Sequence, residues 1–401
     1  MKAAEPDIVV ANFMDSSLHA LAAKGNLSTV GETYNPNKAY RKVIHFTPHE
    51  KDLAFSGHFG DYRIELVSYR YYSINPIFFI AALGRVVRAL RRFRATIVRG
   101  RLPYLGSLLG CIGAKLLGLP VVVSLGGDNR ISQAMEGRYN FNSRMISFGM
   151  EALVLRLCDR IIVPNRFTLD YVARIIGARR ATAKGVVIPW QIERIPAQPA
   201  DDIATLARVG LPSDAALVPI IGFLNRYKFT DKLYDALEGW RPAPARPFAF
   251  VFCGDGPLRL EGERRFAGRA DIRFLGWQER PVIHALLRQA AFVLVPMSGF
   301  VLLEAASLGK PVITSRVEWH AELVEHGRSG MLVEPSEPLE WRRAIETLLG
   351  DPDAAASLGG ALKARFERDY APEQAKQREL ALYRQLLAER ARESAAVALG
   401  R

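Results

Sequence analysis

The stretch "AFVLVPMSGFVLLEAASLGKPVITS", Ala291–Ser315, decides the architecture. "AFVLV" is a short, β-rich apolar run, "PMSG" breaks it, and the segment from Phe300 has helical length before Gly309 and Pro311 end it. "PVITS" then starts a second β-rich run. Strand, helix and strand in so short a span are the mark of a parallel α/β unit. One carboxylate, Glu304, sits in the middle of the helix, where its neighbours at i±3 and i±4 are Phe300, Val301, Ser307 and Leu308. That is a core-like face. Buried there without partners, an acid costs several kcal/mol or neutralises itself. Two readings stay open: the side chain reaches water at the helix edge, or something polar meets it.

The same alternation runs through the chain. Before it lie "DIVVA" (Asp7–Ala11), "KVIHF" (Lys42–Phe46), "RIELVSY" (Arg63–Tyr69), "ATIV" (Ala95–Val98), "PVVVSL" (Pro120–Leu125), "RIIVP" (Arg160–Pro164) and "GVVIP" (Gly185–Pro189). "RIPAQPADD" (Arg194–Asp202) reads as a linker, and the pattern restarts with "ALVPIIG", "PFAFVFCG", "DIRFLG", "AFVLVP", "PVITS" and "GMLVEP". The fold class expected is α/β, with two doubly wound, Rossmann-like domains facing a cleft. The first covers 1–198 and the second 199–372, with the helical segment 373–401 packing back on the first. In such sheets ligands sit beyond the carboxyl ends of the strands.

At 401 residues the chain is long enough for two cores, and 49% hydrophobic with 24% charged residues is ordinary for a globular protein. Its three cysteines are far apart, with no CxxC and no clustered histidine, so neither zinc nor a disulfide framework is expected, and the cytoplasm is the default compartment. The N-terminal apolar run is too short for a signal peptide. Leu102–Gly127 carries a single charge and has the length of a membrane span, but Gly118 and Pro120 cut it into a helix and a strand. The net charge of +13 is uneven: Arg85–Arg101 holds seven arginines and no acid, just after the apolar "INPIFFIAALG". Residues 77–101 read either as an amphipathic helix for anionic headgroups, at the inner face of the cell membrane, or as a solvated helix with an apolar core side. Nucleic acid is not expected, since no binding motif accompanies the charge.

Three constellations fall just after strands of the second half. "GFLNRYKFTD" (Gly222–Asp231) places Arg226 and Lys228 on a loop entering a helix, suited to phosphate oxygens, or alternatively a solvated turn. "FCGDGP" (Phe252–Pro257) offers Gly254 and Gly256 for close backbone approach to a nucleotide, or for a tight turn alone. After "AFVLV", Gly299 precedes a helix start whose N–H groups face the strand ends. An ionised Glu304 accepts two hydroxyl donors at once, and a ribose cis-diol supplies that pair.

In order and spacing, "GFLNRYK", "FCGDGP", "IRFLGW", "SGFVLLEAASLGKPVI" and "EWHAELVEHGRSGMLV" resemble the donor-binding half of family 4 glycosyltransferases, which have the glycosyltransferase-B fold. The resemblance is close over 222–333 and looser through "LPVVVSLGGDN", "CDRIIVPNRFTLDYV" and "GVVIPW". It implies that Lys228 holds the donor diphosphate and Glu304 the ribose. Gly299, Phe300 and Val301 then face phosphates and sugar, and Glu322 and Gly327 are structural. The implied activity is retaining hexosyl transfer from a nucleoside-diphosphate sugar to a glycan or lipid-linked acceptor, in surface polysaccharide or glycolipid assembly. No cofactor or metal is implied.

Three positions depart from the family pattern. Phe223 stands where an arginine is usual, leaving Arg226 to supply the guanidinium. Pro296 replaces a glutamate eight residues before Glu304, and Gly126 replaces a histidine, leaving Asp128 as the polar candidate of the first domain. Arg226, Lys228 and Asp128 are therefore the catalytic candidates. A nucleotide-sugar epimerase or hydrolase of the same fold, or a catalytically impaired nucleotide-binding member, are the alternatives.

Overall fold

The computed structural model describes residues 7–14, 17–19, 35, 39–59, 62–70, 76–127, 149–196, 201–212, 214–242 and 247–399. They form two compact units, Met1–Pro189 with Ala375–Arg401, and Trp190–Gln374.

The first unit holds β1 (Val9–Phe13), β2 (Lys42–Thr47), β3 (Gly57–Phe59), β4 (Tyr62–Ser68), β5 (Ile97–Gly100), β6 (Val121–Ser124), β7 (Arg160–Val163) and β8 (Gly185–Val187). Their order across the sheet is β3-β4-β2-β1-β5-β6-β7-β8. All pairings are parallel except β3 with β4. Successive side chains of a strand point to opposite faces, so a sheet covered on both sides needs apolar residues at every position. Val9, Ala11 and Phe13 accordingly join Ile44 and Val98 in one buried layer, while Ile8 and Val10 join Val43 and Ile97 in the other. The last helix, Pro372–Leu399, gives Ala375, Leu382, Tyr383 and Leu386 to that second layer.

Leu102–Gly127 resolves into the helix Leu105–Leu117 and β6. Gly118 ends the helix in the left-handed conformation, at φ 67°, a turn that a side chain disfavours. Among the described residues no helix is long and apolar enough to cross a membrane.

The arginine run divides in two. On the helix Pro76–Arg92, Ala82, Val86, Ala89 and Leu90 are buried, whereas Ile77, Phe78 and Ile80 are 75%, 54% and 69% exposed. Arg88, Arg91, Arg92 and Arg94 are exposed as well. The expected basic surface does not continue to Arg101. Every residue of β5 is buried, and strand alternation puts Arg99 on the face covered by the last helix, where it is 3% exposed; Arg101 donates from Nε to Asn12 Oδ1.

The second unit holds β9 (Ala216–Ile221), β10 (Phe248–Cys253), β11 (Ile272–Gly276), β12 (Val293–Val295), β13 (Val312–Ser315) and β14 (Met331–Val333), in the order β11-β10-β9-β12-β13-β14, all parallel. Val218, Ile220, Phe250 and Phe252 face one layer, and Leu217, Ala249, Val251 and Cys253 the other. The chain enters this unit at Trp190, earlier than residue 199, because the segment expected as linker is anchored. Trp190 packs on Phe300 and Trp319, with ring centroids 5.9 and 5.2 Å apart. Arg194 is clamped by Glu367 and Glu373. Residues 197–200 of that segment lie outside the described ones.

Candidate functional site

Strand order in the second sheet reverses between β9 and β12, where Leu294 pairs with Ile220. Open α/β sheets bind ligands at this point, outside the carboxyl ends of the two strands. The loop after β9 is Gly222–Phe229, and the loop after β12 is Pro296–Gly299. Two constellations distant in sequence thus emerge side by side.

The β9 loop is a built turn. Asn225 caps the single 3-10 turn Arg226–Lys228 by accepting the Lys228 N–H at 2.9 Å. Its carbonyl also accepts the N–H of Thr230, which opens the helix Thr230–Leu237. Lys228 is half-buried, with its ammonium 4.9 Å from the Tyr227 ring centroid, whereas Arg226 and Phe223 are exposed. Arg226 stands in solvent three residues from the position where the family arginine is expected.

Gly254 and Gly256 meet neighbouring backbone, which fills their open sides, and both have positive φ, 150° and 154°. A Cβ at Gly254 would lie 1.8 Å from the Gly222 carbonyl oxygen, and one at Gly256 would lie 2.3 Å from that of Leu224. The N–H groups of Gly222 and Leu224 donate to the carbonyls of Cys253 and Asp255, and Gly254 donates to Gly276. The three loops after β9, β10 and β11 are zipped by their main chains, and only glycine fits that approach.

Glu304 lies on the helix Phe300–Ser307 and is 4% exposed, so it does not reach bulk water. Its polar partner is Arg280, at the start of the helix Arg280–Gln289, whose Nη1 donates to Oε1 at 2.9 Å. Burial pushes the Glu304 carboxyl above its usual range, and the Arg280 charge and hydrogen bond pull it back. Arg280 is half-exposed and also 3.8 Å from Glu193. It holds the acid in place while remaining partly solvated itself.

Gly299 precedes the helix with its open side against Trp190, whose ring would lie 2.9 Å from an added Cβ. Phe300 is 56% exposed and Val301 is buried, with the Val301 N–H donating to Ser298 Oγ at 3.4 Å. Behind this loop sits His320, fully buried. Its Nδ1 is 2.8 Å from Thr314 Oγ1 and 3.2 Å from the Ser315 carbonyl, at the end of β13. Nothing in the sequence marks Arg280 or His320: one opens an ordinary amphipathic helix, and the other is a lone histidine beside Trp319. Glu322 accepts Arg365 through its backbone carbonyl, and Gly327, at φ 71°, makes a turn closed by its N–H to Gly330. Asp128 lies outside the described residues. Among them, no group of three or more His, Cys, Asp or Glu side chains is placed to hold a metal ion.

Two Rossmann-like units in one chain, the second with the strand order of a nucleotide-binding sheet, define the glycosyltransferase-B fold. Comparison with known proteins agrees. Residues 37–190 match the model "Glycosyltransferase Family 4", and residues 218–351 match "Glycosyl transferases group 1". D-inositol 3-phosphate glycosyltransferase 1 of Catenulispora acidiphila is 27% identical over 305 residues, 70% of this chain and 72% of that one. D-rhamnosyltransferase WbpZ of Pseudomonas aeruginosa is 31% identical over 157 residues, 37% of this chain and 40% of its own length. Sucrose-phosphate synthase from Thermosynechococcus elongatus superposes with a TM-score of 0.72 at 18% identity, covering 95% of this chain and 100% of its own. HepE of Anabaena, solved with UDP and glucose, does so at 0.70 and 17%, covering 94% and 99%. The chain belongs to the family 4 glycosyltransferases.

Proposed function

We propose that the protein transfers a hexosyl group from a nucleoside-diphosphate sugar to a saccharide or lipid-linked acceptor, with retention of anomeric configuration. The reading rests on one observation: a buried carboxylate, Glu304, and a capped cationic turn, Arg226–Lys228, stand beyond adjacent strands where the strand order reverses. HepE, of similar fold, was solved with UDP-glucose, which supports a nucleotide-sugar donor. Glu304 accepts the ribose hydroxyls, with Arg280 opposing the upward shift that burial gives its carboxyl. As the anomeric bond breaks, charge collects on the leaving diphosphate, and Lys228, Arg226 and the N–H groups at the start of the Phe300–Ser307 helix face it. The leaving phosphate takes the acceptor proton, so no pair of catalytic carboxylates is needed.

A thermal-shift panel of UDP-, GDP-, dTDP- and ADP-sugars identifies the donor, since a bound ligand raises Tm by mass action. Glu304→Ala removes that shift, with affinity falling roughly 10- to 100-fold for lost hydrogen bonds to a charged acceptor. The half-exposed Arg280 re-solvates, so the fold survives. An undiminished shift in the variant places the ribose elsewhere. A donor consumed at equal rate with and without acceptor points instead to a hydrolase or epimerase of this fold.

The acceptor binds the first unit, at the inner face of the cell membrane. The exposed Ile77, Phe78 and Ile80, followed by exposed Arg88, Arg91 and Arg92, make an apolar tip with a basic shoulder on one helix, which fits an anionic bilayer surface and a lipid-linked acceptor. Flotation with vesicles rich in anionic lipid is expected to recover the protein at low salt. Ile77→Glu with Ile80→Glu lowers the bound fraction at least about tenfold, because each buried isoleucine contributes about 1.5–3 kcal/mol. Equal flotation of the variant excludes this helix as the contact.

A further inference from the structure

His320 is a buried ionisable group beside the candidate site that the proposed mechanism leaves unused, and its hydrogen bonds fix its tautomer. The Thr314 hydroxyl spends its only proton on the Val295 carbonyl, at 2.7 Å. Toward His320 Nδ1 it therefore presents lone pairs, as does the Ser315 carbonyl. Nδ1 must carry hydrogen, because a bare nitrogen would meet lone pairs on both sides. In the neutral ring Nε2 is then a bare acceptor, buried and without a hydrogen-bond partner. The Ser298 backbone acts on the ring in the sense of an acceptor, favouring the protonated form. Ser298 belongs to the loop after β12 and anchors the helix start through its bond from the Val301 N–H.

Resting on the donor reading above, we infer that His320 takes up a proton when a nucleoside diphosphate settles beside Lys228, and that the new Nε2–H then donates to the Ser298 carbonyl and fixes the loop. The proton comes from solvent, and no covalent bond between heavy atoms changes. In the free protein the ring is held down to about 4, first by burial and then by the Lys228 charge, with the Ser315 and Ser298 carbonyls opposing. Lys228, from the β9 loop, is the charged group acting on the ring; the other groups that meet it are Thr314 and Ser315 from β13, Ser298 from the β12 loop, and Trp319 at a centroid distance of 5.5 Å. A diphosphate brings two or more negative charges to Lys228 and so reverses the local field. The sign follows: a group whose bound-state affinity for protons exceeds its free-state affinity makes binding tighter as pH falls. His320 is a positioning residue in this scheme, touching the loop and not the donor.

The test uses the full chain with ring-15N-labelled histidine at pH 6.5, with and without saturating UDP. One ring is expected to pass from the neutral Nδ1–H form to the imidazolium, and its signals to be missing in His320→Gln or His320→Asn, either of which assigns it. Calorimetry of UDP binding to the unmodified protein, in two buffers of different ionisation enthalpy, should give net proton uptake. From pH 8 to pH 6 the affinity should rise about tenfold more than in His320→Gln. A ring that stays neutral with UDP bound overturns the inference while leaving the donor reading intact, as does a protonated ring that persists in the variants. If none of UDP, GDP, ADP and dTDP binds, the donor reading falls and the inference falls with it.

Discussion

Lys228→Ala is expected to lower kcat about 10²- to 10³-fold, about 2.7–4 kcal/mol of transition-state stabilisation, with a much smaller change in donor affinity. A fixed positive charge acts most where charge develops, on the departing diphosphate, and least on the intact donor. Lys228 is suited to this because its turn is preset: Asn225 accepts its N–H at 2.9 Å, and the side chain is half-buried along Tyr227. Exposed Arg226 is screened by water, so Arg226→Ala should cost about tenfold or less. Steady-state release of the nucleoside diphosphate, measured with the donor chosen by thermal shift, gives both numbers. A Lys228→Ala enzyme within threefold of the parent removes the lysine from the mechanism. An Arg226→Ala loss as large as that of Lys228→Ala shows the arginine does the work expected of the residue at Phe223.

The strands were legible because both faces of each sheet are covered. Continuous apolar runs such as "FAFVFC" and "VVVS" leave little doubt about where the chain is a buried strand. The exception is β3, an antiparallel edge strand whose residues, "GHF", are no continuous apolar run. Boundaries were less legible. The stretch after Pro189 has linker composition, yet one tryptophan and one arginine, Trp190 and Arg194, bind it to the second unit through partners more than a hundred residues away. Composition carries no information about such partners.

The site was legible by position and less so by contact. Glu304 declares itself because an acid on an apolar helix face demands an explanation, and its burial confirms the demand. Its partner could not be read: Arg280 opens a helix 24 residues upstream, the crossover from β11 at the sheet edge to β12, and nothing local links the two. The glycines of "CGDG" were legible as close-approach residues, but whether ligand or backbone does the approaching depends on the loop next door, which here is Gly222–Leu224. Arg99 shows the reverse limit. In a run of seven arginines it looks like surface charge, yet it falls in a strand covered on both faces and every residue of that strand is buried.

Glu379→Gln is expected to destabilise the first unit by about 3–5 kcal/mol, because it leaves the Arg99 guanidinium buried without its counter-charge. For a unit of this size each kcal/mol shifts Tm by about 2–4 °C, so a fall of about 10 °C is expected by calorimetry. Arg99 is 3% exposed, 3.5 Å from Glu379 Oε1, and donates to the Tyr383 hydroxyl, which in turn donates to Glu379 at 2.8 Å. This network ties the returning C-terminal helix to β5. Burial alone would raise the Glu379 carboxyl, but Arg99, Arg101 and the Tyr383 hydrogen bond bring it below its ordinary value. Its contribution is therefore complete above the unfolded carboxylate value, about 4.3, and is lost as pH falls through the depressed folded value. The variant should lose that part of the acid-unfolding slope. Replacing both charges, Arg99→Met with Glu379→Leu, removes the desolvation cost along with the attraction and should sit within about 1 kcal/mol of the parent. If the single substitution costs less than about 1 kcal/mol, water must reach the guanidinium. The buried pair would then not be what fastens the last helix to the sheet.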